Sequence, residues 1–137
     1  MPSVTGIHHV AITVTDLDRS VAWYQKVLGF STVLSAEHPD GTGRLETMVN
    51  PEFSVVLSIH VHAANEGEAF SETHTGLDHV GFAVMDLPAL EEWERHLTEL
   101  NVEHSPLAYH ALDDHSGYSV VVFRDPDNVQ LEFFWMT

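Results

Sequence analysis

The stretch GIHHVAITVTDL, from Gly6 to Leu17, returns as GLDHVGFAVMDL from Gly76 to Leu87, 70 residues later. Gly, His, Val, Val, Asp and Leu recur in register. The chain is therefore written as two similar halves, and its fold must accommodate the same strand twice, each time with a histidine near the start.

The repeat continues past the strand. In the first half, Asp18 to Leu28 places Val21, Tyr24, Val27 and Leu28 on one helical face, and Gly29 supplies a left-handed stop. In the second, Pro88 to Leu100 carries Leu90, Trp93, Leu97 and Leu100 at helical spacing. Asp86 is suited to the N-cap, Pro88 falls in the first turn, and Asp16 is read in the same capping or turn role. Strands are expected near Ser31–Ser35, Arg44–Val49 and Phe53–Val61, with Asp40-Gly41 turning between the first two. Their counterparts are expected near Val102–Ser105, Ser119–Arg124 and Val129–Trp135, with Asp125-Pro126-Asp127-Asn128 turning the last hairpin. The order is β-α-β-β-β, twice. This predicts an α+β fold of two modules, 1–62 and 76–137, joined by a polar linker over 63–75, all within one domain.

One helix covers only one face of a four-stranded sheet. Alternation along the strands should then separate a helix-facing set from a second set. Val10, Ile12 and Val14 oppose His9, Ala11 and Thr13; Val80, Phe82 and Val84 oppose His79, Gly81 and Ala83. Leu131, Phe133 and Trp135 oppose Gln130, Glu132 and Phe134, while Val55, Leu57, Ile59 and Val61 oppose Ser54, Val56, Ser58, His60 and His62. The bulky apolar set belongs under the helices. The small and polar set suits two sheets whose uncovered faces enclose a cleft in a half-barrel. His8 falls on the helix side by parity and is read as structural. Trp23, Trp93 and Trp135 are read as core.

Composition narrows the partners. Asp and Glu total 21 against 5 Lys and Arg, a formal net charge of −16, which leaves no cationic footprint for nucleic acid and disfavours anionic membranes. No apolar run is long enough to span a bilayer, and the N-terminus lacks the pattern of a signal peptide, so a cytoplasmic protein is expected. With no cysteine, disulfides, thiolate nucleophiles and Cys-type metal sites are out. Eleven histidines remain as metal ligands or titratable groups.

The doubled βαβββ pattern, the paired xHVxxxVxDL strands and the RDPDN-x-x-LE ending, Arg124 to Glu132, resemble the vicinal oxygen chelate superfamily. Its members include glyoxalase I, fosfomycin-resistance proteins, extradiol dioxygenases, methylmalonyl-CoA epimerase and bleomycin-binding proteins. The resemblance covers nearly the whole chain and implies metal ligands from the first and last strands of each module. These are His9, His79 and Glu132, with a fourth position at Ser58, because Asn50 to Ser58 matches Arg124 to Glu132 in length. Serine is a poor ligand, so His60, two residues on and on the same face, is a substitute. Two imidazoles and a carboxylate leave coordination positions open and suit divalent iron, manganese, nickel, cobalt or zinc. A cleft that has lost its metal is the competing reading. A homodimer is expected from the resemblance alone.

The resemblance implies a metal-dependent lyase, isomerase or dioxygenase in which two substrate oxygens chelate the ion, with Glu132, His60 or a lid residue moving the proton. Leu107 to Tyr118, holding Tyr109, His110, His115 and Tyr118, is expected as the longest irregular stretch, either a cover over the cleft or a solvated loop. Phosphonate or glutathionyl substrates need Arg or Lys. Arg19 and Lys26 fall on the first helix, Arg95 on the second and Arg124 in the turn motif, leaving Arg44 as the expected cleft cation. A small neutral carbonyl, diol or phenolic substrate is therefore preferred. The alternative is a non-catalytic protein that sequesters a cationic, bleomycin-type drug in an acidic groove.

Overall fold

The computed structural model describes residues 1–113 and 115–137. The first module runs β1 (Val10–Thr13), α1 (Leu17–Leu28), β2 (Ser31–Glu37), β3 (Gly43–Val49) and β4 (Val56–His62). The second runs β5 (Val80–Ala83), α2 (Leu87–Glu99), β6 (Ala108–Ala111), β7 (Gly117–Arg124) and β8 (Gln130–Met136). Each is a four-stranded sheet with one helix, in the orders β1-β4-β3-β2 and β5-β8-β7-β6. The chain divides into compact units Met1–Glu68 and Ala69–Thr137.

Both helices are fixed at their starts by the same device. The Asp16 carboxylate accepts from the Arg19 amide, and Asp86 does the same from Ala89, satisfying an otherwise orphaned N–H. Gly29 closes α1 in the left-handed conformation, φ 69°, and donates back to the last carbonyls of the helix. The predicted faces hold. Leu17, Tyr24, Val27 and Leu28 of α1 are buried, with Ile12, Val14, Met48, Leu57 and Ile59 buried in the sheet of the same module. Leu90 and Leu97 of α2 are buried in the module that buries Phe82, Val121, Phe123, Leu131 and Phe133. Trp93 stacks on Phe133 with centroids 4.3 Å apart. Each fully buried side chain of this size contributes about 1.5–3 kcal/mol.

Three expectations need correction. The strand expected from Phe53 begins at Val56, because the Asn50 side chain accepts from the amides of Ser54 and Val55 and curls the chain into a turn. Val102–Ser105 is not a strand: it makes one isolated bridge, His104 to Phe123. The fourth strand is Ala108–Ala111 instead, paired antiparallel with β7, so most of the expected Leu107–Tyr118 loop is a hairpin. Asp114 of that stretch lies outside the described residues. Around it, the Asp113 carboxylate accepts from the His115 and Ser116 amides.

The second half of the expected linker is bound to the second module. Phe70 and Asp127 join through the backbone, Asn128 donates its side-chain amide to the Phe70 carbonyl, and Arg124 grips Glu72 with bonds of 2.8 and 3.0 Å. That pairing holds the Glu72 carboxyl down at about 2.

Candidate functional site

The parallel pairing of first and last strands sets the register of the candidate ligands. In the second module Gly81 lies opposite Glu132; in the first, Ala11 lies opposite Ser58. Ser58 therefore occupies the place of Glu132, as the spacing predicted. The connecting turn, however, is one residue longer in the first module: β3–β4 pairing ends at Val49 and Val56, β7–β8 pairing at Arg124 and Gln130.

In the second module His79 precedes β5 and Glu132 projects from β8 beside it. Nε2 of His79 stands 3.5 Å from Oε1 of Glu132, while Nδ1 donates to Asp78 Oδ1 at 2.7 Å. A Cβ on Gly81 would come within 3.1 Å of the same Glu132 oxygen, so glycine leaves this carboxylate its position. The Asp78 hydrogen bond, reinforced by Glu132 and opposed by partial burial, holds the His79 pKa above its ordinary value. For the metal-free protein this contribution to stability is present below pH 6.5 and is lost as pH rises through the raised value.

In the first module His9 precedes β1 in the same way, and its Nδ1 lies 3.0 Å from Nδ1 of His8. His8 thus stands where Asp78 stands. It is exposed, not covered by α1 as parity suggested, and it occupies its neighbour's inner nitrogen. Ser58 is buried and bonds Thr47 at 3.2 Å and His60 Nε2 at 3.1 Å. His60 Nδ1 meets His38 Nε2 at 3.0 Å. Burial first, then His38, His62 and His9, hold the His60 pKa below its ordinary value, so its ring is neutral near pH 7.

His38 was not singled out by the sequence. Its signal lay in His60 and His62, two imidazoles at strand period on one face; the third arrives from the β2–β3 turn. The ligand atoms of His38, His60 and His62 lie within 4.8 Å of one another.

The non-helix face of the second module also carries an aromatic ladder. His110 stacks on Tyr118 with centroids 4.8 Å apart, and Tyr118 on Phe134 at 5.1 Å. Phe134 follows Glu132 by one pleat. Arg44, expected as a cleft cation, instead alternates onto the helix side and pairs with Asp18 at 3.2 Å. Arg95 and Arg124 are likewise paired with carboxylates. Among the described residues no helix is long and apolar enough to cross a membrane.

Comparison with known proteins agrees with this architecture. The model of the Glyoxalase/Bleomycin resistance protein/Dioxygenase superfamily matches residues 6–133, and the chain belongs to that superfamily. It is 28% identical to the uncharacterized protein YwkD of Bacillus subtilis (strain 168), over 94% of this chain and 95% of that one. It is 26% identical to the putative ring-cleaving dioxygenase MhqA of the same organism, over 90% of this chain but 42% of that protein. Among solved structures, a glyoxylase/bleomycin resistance protein/dioxygenase domain from Frankia sp. EAN1pec superposes with a TM-score of 0.86 at 27% identity, covering 98% of this chain and all of that one. The fosfomycin resistance protein FosX from Listeria monocytogenes, complexed with Mn(II) and sulfate, shares the fold. Its TM-score is 0.68 at 17% identity, over 98% of this chain and 95% of that one.

Proposed function

We propose that the protein is a metal-dependent enzyme of this superfamily acting on a small carbonyl, diol or phenolic substrate, with His79 and Glu132 supplying two ligands to a divalent ion. The observation that carries this reading is the His79–Glu132 pair. Two ligands of one ion stand roughly 3.0–3.4 Å apart when each lies about 2.1 Å from it, and the 3.5 Å gap meets that with a slight adjustment. Asp78 fixes the His79 tautomer so that Nε2 offers its lone pair, the role outer carboxylates serve at metal-binding histidines. A bound divalent ion would supply Lewis acidity toward a substrate oxygen.

Glu132, half-buried, is the proposed proton carrier next to the substrate. His60 is left out of this set because its Nδ1 turns to His38, 3.0 Å away. The His110–Tyr118–Phe134 ladder gives a planar substrate a stacking surface and favours the phenolic class. MhqA, named as a putative ring-cleaving dioxygenase, supports the same choice. With Arg44, Arg95 and Arg124 already paired, an anionic substrate is disfavoured.

The test is metal reconstitution of chelator-treated protein with Fe(II), Mn(II), Co(II), Ni(II) and Zn(II), followed by catechol and hydroquinone turnover. Stoichiometric binding that vanishes in His79→Ala supports the reading; binding indifferent to both His79→Ala and Glu132→Ala overturns it. Sequestration of a cationic drug is the second reading, favoured by the net charge of −16. Calorimetric titration of metal-free protein with bleomycin separates the two.

A further inference from the structure

We propose that His38, His60 and His62 form a second divalent transition-metal site, contained within the first module and independent of the His79–Glu132 pair. It does not rest on the proposed activity.

The site is assembled by a turn and a missing side chain. At the end of β2 the His38 amide donates to the Gly43 carbonyl at 2.8 Å, and the Gly41 amide donates to the His38 carbonyl at 2.9 Å. This closes the β2–β3 hairpin and folds the His38 ring back across Gly43. A Cβ at Gly43 would lie 2.8 and 2.9 Å from two atoms of that ring and would collide with the Val61 carbonyl oxygen. Only glycine leaves room for the imidazole. Gly43 pairs with His62 and Leu45 with His60, so the returning ring lands where the two β4 histidines project.

The three rings are close but not stacked in one pile. Centroids are 5.2 Å apart for His38 and His60, 4.6 Å for His38 and His62, and 6.1 Å for His60 and His62. Two nitrogens bound to one tetrahedral ion at about 2.0–2.1 Å stand roughly 3.3 Å apart. Nε2 of His38 and Nδ1 of His60 stand 3.0 Å apart, and all three ligand atoms fall within 4.8 Å. Rotation of exposed His62 about its side-chain torsions brings the third nitrogen in. Three imidazoles with no carboxylate define the ion by exclusion: magnesium and calcium require oxygen ligands, whereas zinc, copper, nickel and cobalt accept nitrogen. His62, the exposed member of the three, also lines a recess of about 360 Å³ at the same end of the sheet, with Glu37, Thr42 and Arg44. Bound there, the metal would staple the hairpin end to β4 and leave a fourth position for water.

Zinc and cobalt serve as probes on chelator-treated full-length protein. Bound metal is measured by equilibrium dialysis and elemental analysis at micromolar free Zn(II), and Co(II) geometry by its visible absorption. His38→Gln and His62→Gln, each verified as folded by circular dichroism, are expected to lose one equivalent of zinc. The tetrahedral Co(II) bands should disappear with it. His79→Gln should keep that equivalent. Unchanged stoichiometry in both His38→Gln and His62→Gln, or binding only at millimolar metal, overturns the proposal. Loss of all metal in His79→Gln alone also overturns it while leaving the superfamily site intact; retention of one equivalent in His79→Gln but none in His38→Gln supports it and counts against that other site.

Discussion

The two modules share a fold and differ in what they place on the uncovered face of the sheet. At the position where the second module carries Glu132 against His79, the first carries Ser58, buried and bonded to Thr47 and His60. Where Asp78 supports His79, His8 meets His9. The second module places an acid and an imidazole within reach of one ion. The first has a serine there and brings imidazoles together further on, His60 and His62 from β4 and His38 from the β2–β3 turn. The backbone pairing recurs in both modules while the side chains on one face differ, and the helix-facing residues supply most of the fully buried apolar core.

The largest expected effect tests that last statement. Ile59→Ala in the first module and Leu97→Ala in the second remove fully buried side chains of equivalent cores. Each should cost about 2–5 kcal/mol by urea denaturation. A cost well under that in one module would mean the two cores are not equivalent. Next is His79→Ala, which should lower affinity for a divalent ion by about 100-fold or more in calorimetric titration. His8→Ala should do far less, and equal small losses would undo the assignment of the acid-bearing module. Asp78→Asn comes third, at about 10-fold, with the His79 titration followed by NMR moving down toward its ordinary value. Ser58→Ala is expected to cost about 1 kcal/mol through two lost hydrogen bonds while leaving metal affinity at His79 and Glu132 unchanged.

The smallest effect is pH-dependent. Glu72 is held at about 2 in the folded protein against an ordinary 4.5, so its pairing with Arg124 stabilises fully above 4.5 and is lost as pH falls toward 2. Glu72→Gln should lower Tm by at most a few degrees at pH 7. The gap from wild type should close between pH 4.5 and 2; a gap constant over that range would assign the loss to something other than this ion pair.

Much of the module architecture was legible because it rests on local rules. The period-two alternation around Ile12 and Phe82, the caps at Asp16 and Asp86, and the left-handed stop at Gly29 each declare themselves within a few residues. The equivalence of Ser58 and Glu132 followed from the repeat. What stayed hidden depends on distant partners. Ala108–Ala111 has little intrinsic preference for a strand and becomes one through pairing with β7 and the His110–Tyr118 stack. Val102–Ser105 begins with a β-branched residue and makes a single bridge before Pro106 ends it. The place of His38 was invisible because it is decided by the emptiness at Gly43, a property of the folded hairpin.

The parallel pairing of β1 with β4, and of β5 with β8, has a consequence for the order of events in folding. His9 and His79 sit at the edge of strands only four residues long, which among the described residues pair with the last strand of the same module. Neither short strand has a template until that late segment has been synthesised and docked. Each histidine would thus acquire its final position only at the close of assembly of its own module.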